Sequence, residues 1–436
     1  MKLTTHNSQL TTNRGQAVIT AVVFFLVIAA TVSIGVINPV LRQLKQADDF
    51  LRTRASLFAS QSVNEDALYR LKTNKKFTSP STLSLGGYRA TATSTTVAGG
   101  LQINSSGNGF NLTRNIRTHL ISGSGASFNY GVQVGAGGVI LENTSSVAGN
   151  LYSNGPVTGA GSNLIKGDAV SAGPNGQIDG VHATSSAYAH IIRNSTIDKD
   201  AYYQTISGST VAGTLYPGSA DQATSTLPIA AAQVTQWQND AAAGGTIASP
   251  CPYKISDTAT IGPAKINCDL EISGNNYTVT LGGALWVAGN ITVKNSPTIK
   301  VSPSLGHKSI PIVADNPADH TDSSIITLSN SVQFQGSGTP GSFVVLISQN
   351  NRAANGGNGS GEEAIIAQNN VSGAVLLYAA LGEIRLQNSI SLKEVTAYRL
   401  RLQNSAEVVY DTGLANLLFT SGPSGSYVFD GWREVQ

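Results

Sequence analysis

The hydrophobic residues of this chain begin with one long uninterrupted run. Residues 16–41 are 26 positions without a charged side chain. As a helix this run would be about 39 Å long, more than the roughly 30 Å of hydrocarbon in a bilayer. A secretory signal needs an apolar region of only about 7–15 residues and is then removed. The pattern therefore predicts a membrane-spanning helix that stays in the mature protein.

A second helical pattern follows the apolar run. Its apolar stripe consists of Leu41, Leu44, Leu51, Phe58, Leu68 and Leu71, with basic residues between them. Pro39 is predicted to kink the helix near the membrane exit. Ser62 to Glu65 has the capping-box form, which favours a restart of the helix there. Together these features predict one long, bent helix over residues 16–75.

After this helix the spacing of apolar residues becomes strand-like. Residues 76–130 alternate apolar and polar positions between glycine turns, which predicts a small strand-rich connecting region. Over residues 131–436 short apolar runs end repeatedly in Gly or Asn, and "RLQNS" occurs at both Arg385 and Arg401. Such repetition predicts a β-solenoid in which bend asparagines hydrogen-bond to those of the next coil. A β-sandwich is the alternative fold.

Two segments interrupt the strand pattern. Residues 225–245 predict a helical insertion, with Ser225 or Thr226 as cap, Pro228 near the first turn and glycines at the end. Residues 350–363 have no apolar anchor, which predicts a mobile loop.

Composition and charge support a mainly β fold and limit the partners. Only 12% of the residues are charged and 46 are glycine, a mixture that suits strands and tight turns. Residues 1–76 hold ten Lys and Arg against four Asp and Glu, a net charge of +6. Since the whole chain is +2, the remainder carries −4. No basic groove runs through the bulk of the chain, so nucleic acid is not an expected partner.

The two cysteines, Cys251 and Cys268, are the only ones in the chain. One pair in an otherwise cysteine-free sequence favours a disulfide in an exported domain. Two buried free thiols are the alternative. The sequence has no Cys/His spacing typical of a zinc site.

The amino-terminal residues resemble a type IV prepilin. Residues 1–15 form a short basic leader that ends in Gly15, and the uncharged helix after it contains Pro39. Residues 55–71, "ASLFASQSVNEDALYRL", resemble the end of the amino-terminal helix of PilX-type minor pilins. The resemblance implies that a prepilin peptidase cuts after Gly15 and leaves Gln16 as the mature amino terminus.

One position departs from the major pilins of this family. They carry a glutamate at the fifth mature position, which pairs with the amino terminus of a neighbouring subunit, whereas this chain has Thr20. A carboxylate without its partner would be costly in lipid. Minor pilin-like subunits at a fibre tip also lack this glutamate, so the resemblance implies a minor subunit. The stretch from Leu227 to Trp432 resembles a solenoid-type domain that accompanies PilX-type helices and has no assigned activity.

Few residue patterns in the sequence indicate catalysis or metal binding. Asp315, Asp319 and Asp322 in "VADNPADHTD" could bind Ca²⁺ or form an acid/base pair, but Asp is also an ordinary turn residue. The glycines of "GSGTPG" at Gly336 precede a strand rather than the helix that a dinucleotide site requires. We expect no enzyme activity, no metal and no cofactor.

These features favour a minor pilin or pilus assembly protein, membrane-anchored by one span and displayed at the cell surface or in an extracellular fibre. Its expected partners are other pilin-like subunits, prepilin peptidase and the membrane, with a surface glycan or protein receptor left open. A carbohydrate-binding or carbohydrate-active β-helix, with tyrosines near Tyr202 and Tyr203 as the contact, is the first alternative. The second is a cytoplasmic membrane-tethered polymer-forming scaffold, whose location the basic residues after the span favour.

Overall fold

The computed structural model describes residues 14–72, 77–97, 100–126, 128, 130–357, 361–411, 414, 417–419 and 424–435. This part of the chain contains one long helix, an antiparallel sheet and a large set of parallel strands. The predicted class, mainly β with a long amino-terminal helix, is confirmed.

The first element is the helix α1 (Arg14–Lys72), which continues through Pro39. The predicted restart at Ser62 is wrong, because Ser62 lies inside α1 and its Oγ donates a hydrogen bond to the Phe58 carbonyl at 2.9 Å. From Val18 onward the helix is long and apolar enough to cross a membrane.

An antiparallel sheet packs on the carboxyl-terminal part of α1. Its strands are β1 (Ser81–Leu85), β2 (Tyr88–Val97), β3 (Gly100–Gly109), β4 (Leu112–Ala126), β39 (Leu417–Phe419) and β40 (Ser424–Val435). The solenoid prediction extended to residue 436, whereas β40 pairs with β4 and so belongs to this sheet. The parallel strands, over residues 132–409, are therefore an insertion between β4 and β39.

The inserted domain is a β-solenoid whose described coil-to-coil pairings are parallel, unlike those of a β-sandwich. Its first half comprises β5 (Val132–Glu142), β6 (Ser146–Ala148), β7 (Leu151–Ser153), β8 (Val157–Ala160), β9 (Leu164–Ile165), β10 (Ala169–Ser171), β11 (Gln177–Asp179), β12 (His182–Ala183), β13 (Ala187–Tyr188), β14 (Ile191–Arg193), β15 (Thr196–Ile197), β16 (Ala201–Tyr203), β17 (Thr205–Ser207), β18 (Thr210–Val211) and β19 (Leu215–Pro217).

The second half follows a helix, α2 (Ala231–Ala243). It comprises β20 (Thr246–Ile247), β21 (Tyr253–Ile255), β22 (Ala259–Ile261), β23 (Ala264–Ile266), β24 (Leu270–Ser273), β25 (Thr278–Leu281), β26 (Leu285–Val287), β27 (Ile291–Lys294), β28 (Thr298–Val301), a 3₁₀ turn (Pro303–Leu305), β29 (Lys308–Ala314), β30 (Ile326–Ser329), β31 (Gln333–Gln335), β32 (Val344–Ser348), β33 (Ile365–Gln368), β34 (Ser372–Gly373), β35 (Val375–Gln387), β36 (Ser391–Leu392), β37 (Glu394–Gln403) and β38 (Glu407–Val409).

The order of the coils in the stack differs from their order in sequence. The chain enters in the middle at β5 and winds to one end at β17 to β19. It then returns along the outside and restarts at the opposite end with β20 to β22. The last coil docks on the first, with Val395 beside Val132 and Leu402 beside Leu141. One continuous apolar core runs through both halves.

A row of asparagines crosses the junction between the two halves. Its members in stack order are Asn295, Asn330, Asn369, Asn388, Asn404 and Asn143. Each amide bonds to the next at 2.6 to 3.3 Å, as predicted for the bends. All six have positive φ, a conformation that asparagine tolerates better than most residues. The last bond joins residues 261 positions apart in sequence, so the row stabilises the contact between the two halves.

The returning segment, residues 218–230, lies against the first face of the solenoid. The Gln133 side chain donates to the Thr226 carbonyl at 2.8 Å, and the Tyr378 hydroxyl donates to the Ile229 carbonyl at 2.6 Å. Ser225 and Asn154 exchange two hydrogen bonds. The predicted cap at Ser225 or Thr226 is wrong, because these residues lie in the returning segment and α2 begins at Ala231, with Ala230 at its N-cap position.

Candidate functional site

The amino-terminal part of α1 carries the positions that the pilin resemblance singles out. Gly15 and Gln16 lie in its first turn, and residues 1–13 lie outside the described residues, so cleavage at Gly15 stays a prediction. Thr20 lies on the exposed part of the helix. Large apolar side chains from Val18 to Leu51 are exposed all along this part, Phe25 by 71%. A helix that is apolar on every side is suited to lipid or to other apolar helices.

The carboxyl-terminal part of α1 presents a narrow face of small side chains to the antiparallel sheet. Its buried residues are Ser56, Ala59, Ser60, Val63, Asn64 and Ala67. They recur at intervals of three and four, so they share one face of the helix. Gly107 on β3 lets the backbone of the sheet come close to the backbone of α1, because a Cβ at this position would lie 2.0 Å from the Ser56 carbonyl oxygen.

Buried polar groups on this face fix the position of the helix. The Ser56 hydroxyl donates to the Leu112 carbonyl at 3.1 Å, and the Ser60 hydroxyl donates to the Ser105 carbonyl at 3.0 Å. The Asn64 Oδ1 accepts hydrogen bonds from the hydroxyls of Ser105 at 3.2 Å and Thr118 at 3.0 Å. Since unpaired polar groups are costly when buried, these bonds favour one register of helix against sheet.

The predicted apolar stripe is only partly correct. Leu68 and Leu71 pack against the sheet, but Leu44, Leu51 and Phe58 are exposed. The sequence signal that was missed is the recurrence of small residues from Ser56 to Ala67, which marks a close helix–sheet contact.

A second apolar cluster joins the sheet, α2 and the solenoid. Trp237 of α2 is fully buried, and its ring centroid lies 4.5 Å from that of Phe419 on β39. Phe128, between β4 and β5, is buried in the same cluster. The cluster therefore fixes the inserted domain to the sheet that carries it.

A buried carboxyl, Glu394, lies beside this cluster. Its Oε1 accepts a hydrogen bond from the Thr396 hydroxyl at 2.5 Å, and its Oε2 has no hydrogen-bond partner among the described residues. Burial raises the pKa of Glu394 well above its ordinary value of 4.5. Burial and the nearby Glu394 carboxyl also raise the pKa of Tyr410 to about 12. At a pH at which an exposed glutamate is already ionised, the Glu394 carboxyl of the folded protein is therefore still protonated and neutral.

We expect stability to fall as the pH rises above 4.5, the ordinary pKa of the Glu394 carboxyl. The native state then holds a proton that the unfolded chain has lost, so unfolding becomes more favourable until the folded pKa is passed. Glu394→Gln keeps the acceptor for Thr396 and cannot ionise. Urea unfolding midpoints between about pH 5 and pH 8 should fall less in this variant than in the wild type or in an exposed control, Glu65→Gln. Parallel midpoint curves for all three proteins would contradict this explanation.

The aspartates considered for a metal site are engaged within the protein. Asp315 accepts hydrogen bonds from His320 Nε2 at 2.6 Å and from the Gln238 side chain. Asp319 accepts backbone N–H bonds, and Asp322 pairs with an arginine side chain at 3.0 Å. No group of three or more His, Cys, Asp or Glu side chains that could hold a metal occurs among the described residues.

The tyrosines considered for carbohydrate binding form a stack. Tyr188, Tyr202 and Tyr216 are neighbours on successive coils, with ring centroids 4.5 and 4.4 Å apart and nearly parallel planes. Tyr203 is buried in the solenoid core. The ring faces of Tyr202 are covered by its neighbours, so this arrangement does not offer its face to a sugar. At the two ends of the stack, Tyr188 packs against the cluster of Tyr152, Val170 and Ala172, and the outer face of Tyr216 is not covered by another ring of the stack.

The cysteines form the predicted disulfide. Cys251 and Cys268 are bonded, with their Cα atoms 5.9 Å apart. The bond ties the loop between β20 and β21 to the loop after β23, which belongs to the next coil.

Comparisons with known proteins find similarity among solved structures. No protein-family model and no curated protein sequence matches the chain. Among solved structures it is similar to the competence-associated pilin ComZ from Thermus thermophilus, with TM-score 0.38, 8% identity and coverage of 88% of this chain and 96% of that one. It is also similar to an ice binding protein from an Antarctic bacterium Flavobacteriaceae, with TM-score 0.13, 9% identity and coverage of 64% and 80%. Both TM-scores are low, so neither likeness carries an argument for function.

Proposed function

We propose that this chain is a minor, non-enzymatic subunit of a type IV pilin-like fibre. The membrane holds it by α1 before assembly, and the solenoid is displayed outside the cell. The observation that carries the proposal is the division of α1 into two parts. Its first part exposes apolar side chains on every side, while its second part is fixed to an antiparallel sheet by small and hydrogen-bonding residues.

The two parts of α1 suit two successive environments. The exposed apolar surface is compatible with lipid, and after extraction it requires other apolar helices to cover it. Other pilin-like subunits would supply such helices, and prepilin peptidase would first remove residues 1–15. Thr20 in place of a glutamate fits a subunit that does not repeat along the fibre.

The position of the solenoid fits a display role. The chain leaves the sheet from β4 and returns to it at β39 and β40, which both pair with β4. Both ends of the inserted domain are therefore attached to one rigid surface, and Phe128 and Phe419 pack in the cluster between them. A domain held at both ends follows the orientation of α1 and so would project from the fibre in one direction.

The test is the location of the chain in cells that have a prepilin peptidase. Fibres sheared from the cell surface are separated from membranes, and the chain is detected in both fractions. We expect the wild type in the fibre fraction and a Gly15→Leu variant only in membranes, because the peptidase cuts after glycine. Gly431→Ala on β40 is the control, since a Cβ at Gly431 meets no atom within 4 Å and the position lies outside the exposed apolar part of α1.

Two outcomes would contradict the proposal. Wild type confined to the membrane fraction would exclude a fibre subunit. The second outcome is that thiol reagents label Cys251 and Cys268 in intact cells without prior reduction. This would support the cytoplasmic scaffold instead, because disulfides rarely persist in the cytosol.

A further inference from the structure

The two ends of the solenoid are built differently. We call residues 205–217, with strands β17, β18 and β19, the tip coil, and residues 246–263, with β20, β21 and β22, the base coil. Among the described residues each of these six strands pairs with a neighbour on one side only. Both ends therefore present strand edges, which proteins normally protect from pairing with other chains.

The base coil is protected. Pro250, Pro252 and Pro263 lie in its loops, where they cannot donate a backbone hydrogen bond. Lys254 on β21 is exposed and would have to be desolvated by any strand added there. The disulfide at Cys251 ties the same loops to the next coil.

The tip coil lacks the lysine and the disulfide that protect the base coil, and it has a proline only at its last position. Residues 205–217 include no charged side chain, and their only proline is Pro217. Leu215 is 50% exposed and Tyr216 40% exposed. Ile206 and Val211 point into the apolar core but are only partly covered, and they line a depression of about 340 Å³ at the end of the stack.

We propose that the tip coil is the site at which a second copy of this chain docks, tip against tip. The open end needs an apolar side chain above each of Ile206, Val211 and Leu215, one on each of the three faces. Another tip coil has this cross-section and this residue pattern. Both surfaces are uncharged, so no charge is desolvated when they meet.

Strand direction permits this arrangement. Two identical coils that face each other around a twofold axis run in opposite senses, so their edge strands meet antiparallel and can hydrogen-bond. A single strand from another protein would cover only one of the three faces. The base coil of a second copy is excluded by its prolines and Lys254. The inference does not depend on the proposed function, since it concerns the solenoid alone.

A charge-swap experiment on the full chain in detergent micelles tests the inference. Thr210 on β18 and Thr260 on β22 are both exposed threonines on edge strands of the same face, one at each end. With the twofold axis through the face of β18, so that β18 meets β18 of the second copy, Thr210→Lys is expected to weaken self-association about tenfold or more, because two like charges meet at the interface. Thr210→Glu should do the same, and a mixture of the two variants should recover dimers. Thr260→Lys should leave the mass distribution of the wild type unchanged.

The mass in solution, followed by light scattering across protein concentrations, decides the outcome. If the wild type forms no dimer at protein concentrations up to about 1 mM, the inference is overturned, because a dissociation constant above about 1 mM corresponds to only very weak binding. Equal loss of dimers in the Thr210→Lys and Thr260→Lys variants would also overturn it. Failure of the Lys and Glu variants to associate when mixed would show that the tip does not bind its own copy.

Discussion

A Gly107→Ala variant is expected to lose the packing of α1 against the antiparallel sheet. The added Cβ would lie 2.0 Å from the Ser56 carbonyl oxygen and 2.7 Å from the Ser60 nitrogen, and both of these are backbone atoms of a helix. The helix must therefore move away and lose the hydrogen bonds of Ser56 and Ser60. Overpacking of this kind costs about 3 kcal/mol. Trypsin should then cleave near Arg54 and Arg70 faster than in the wild type.

The same sheet supplies a matched control for this variant. A Cβ at Gly431, on β40, would meet no atom within 4 Å. Gly431→Ala should therefore retain the protease resistance of the wild type. Equal cleavage rates in the two variants would contradict the close contact at Gly107.

The second large effect is expected from Trp237→Ala. Trp237 is fully buried between α2, the solenoid face and Phe419, so its removal leaves a cavity where three elements meet. Truncation of a buried tryptophan typically costs about 3–5 kcal/mol. We expect α2 and the returning segment to loosen and the denaturant midpoint of the chain to fall.

Trp432→Ala provides the comparison, because Trp432 is 53% exposed. Substitutions at such surface positions usually change stability by no more than about 0.5 kcal/mol. A midpoint for Trp237→Ala that falls no further than that of Trp432→Ala would contradict the role of Trp237 in joining α2, the solenoid and the sheet.

The solenoid and its bend chemistry could be predicted because they depend on local sequence. Asn388 and Asn404 stand at the same place in two copies of "RLQNS", and the structure places them one coil apart with their amides 3.1 Å apart. A repeated bend residue adopts the same backbone conformation in each coil. Its side chains are therefore aligned wherever the coils stack.

The order of the coils could not be predicted in the same way. Each coil has an apolar interior of similar residue types, so nothing local indicates that Val395 lies beside Val132 rather than at an end of the stack. Glu142 and Gln403, which hydrogen-bond across this junction, are 261 positions apart. The pairing of β40 with β4 is likewise a long-range contact that a strand pattern does not specify.

The contact face of α1 was missed for another reason. Helical periodicity draws attention to large apolar residues such as Phe58, which the structure leaves exposed. The buried face consists of smaller residues such as Ser60 and Ala67, because Gly107 brings the sheet backbone too close for larger ones. Close approach of two backbones is a tertiary property, and hydrophobicity alone does not reveal it.

The claim that this chain is a pilin-like subunit is tested most directly by its amino terminus. The protein is recovered from membranes of cells that have a prepilin peptidase, and its intact mass and terminal sequence are determined. We expect a chain that begins at Gln16, with Met1 to Gly15 removed. A chain that still carries Met1 to Gly15 would contradict the claim and leave a solenoid tethered to the membrane by one uncleaved helix.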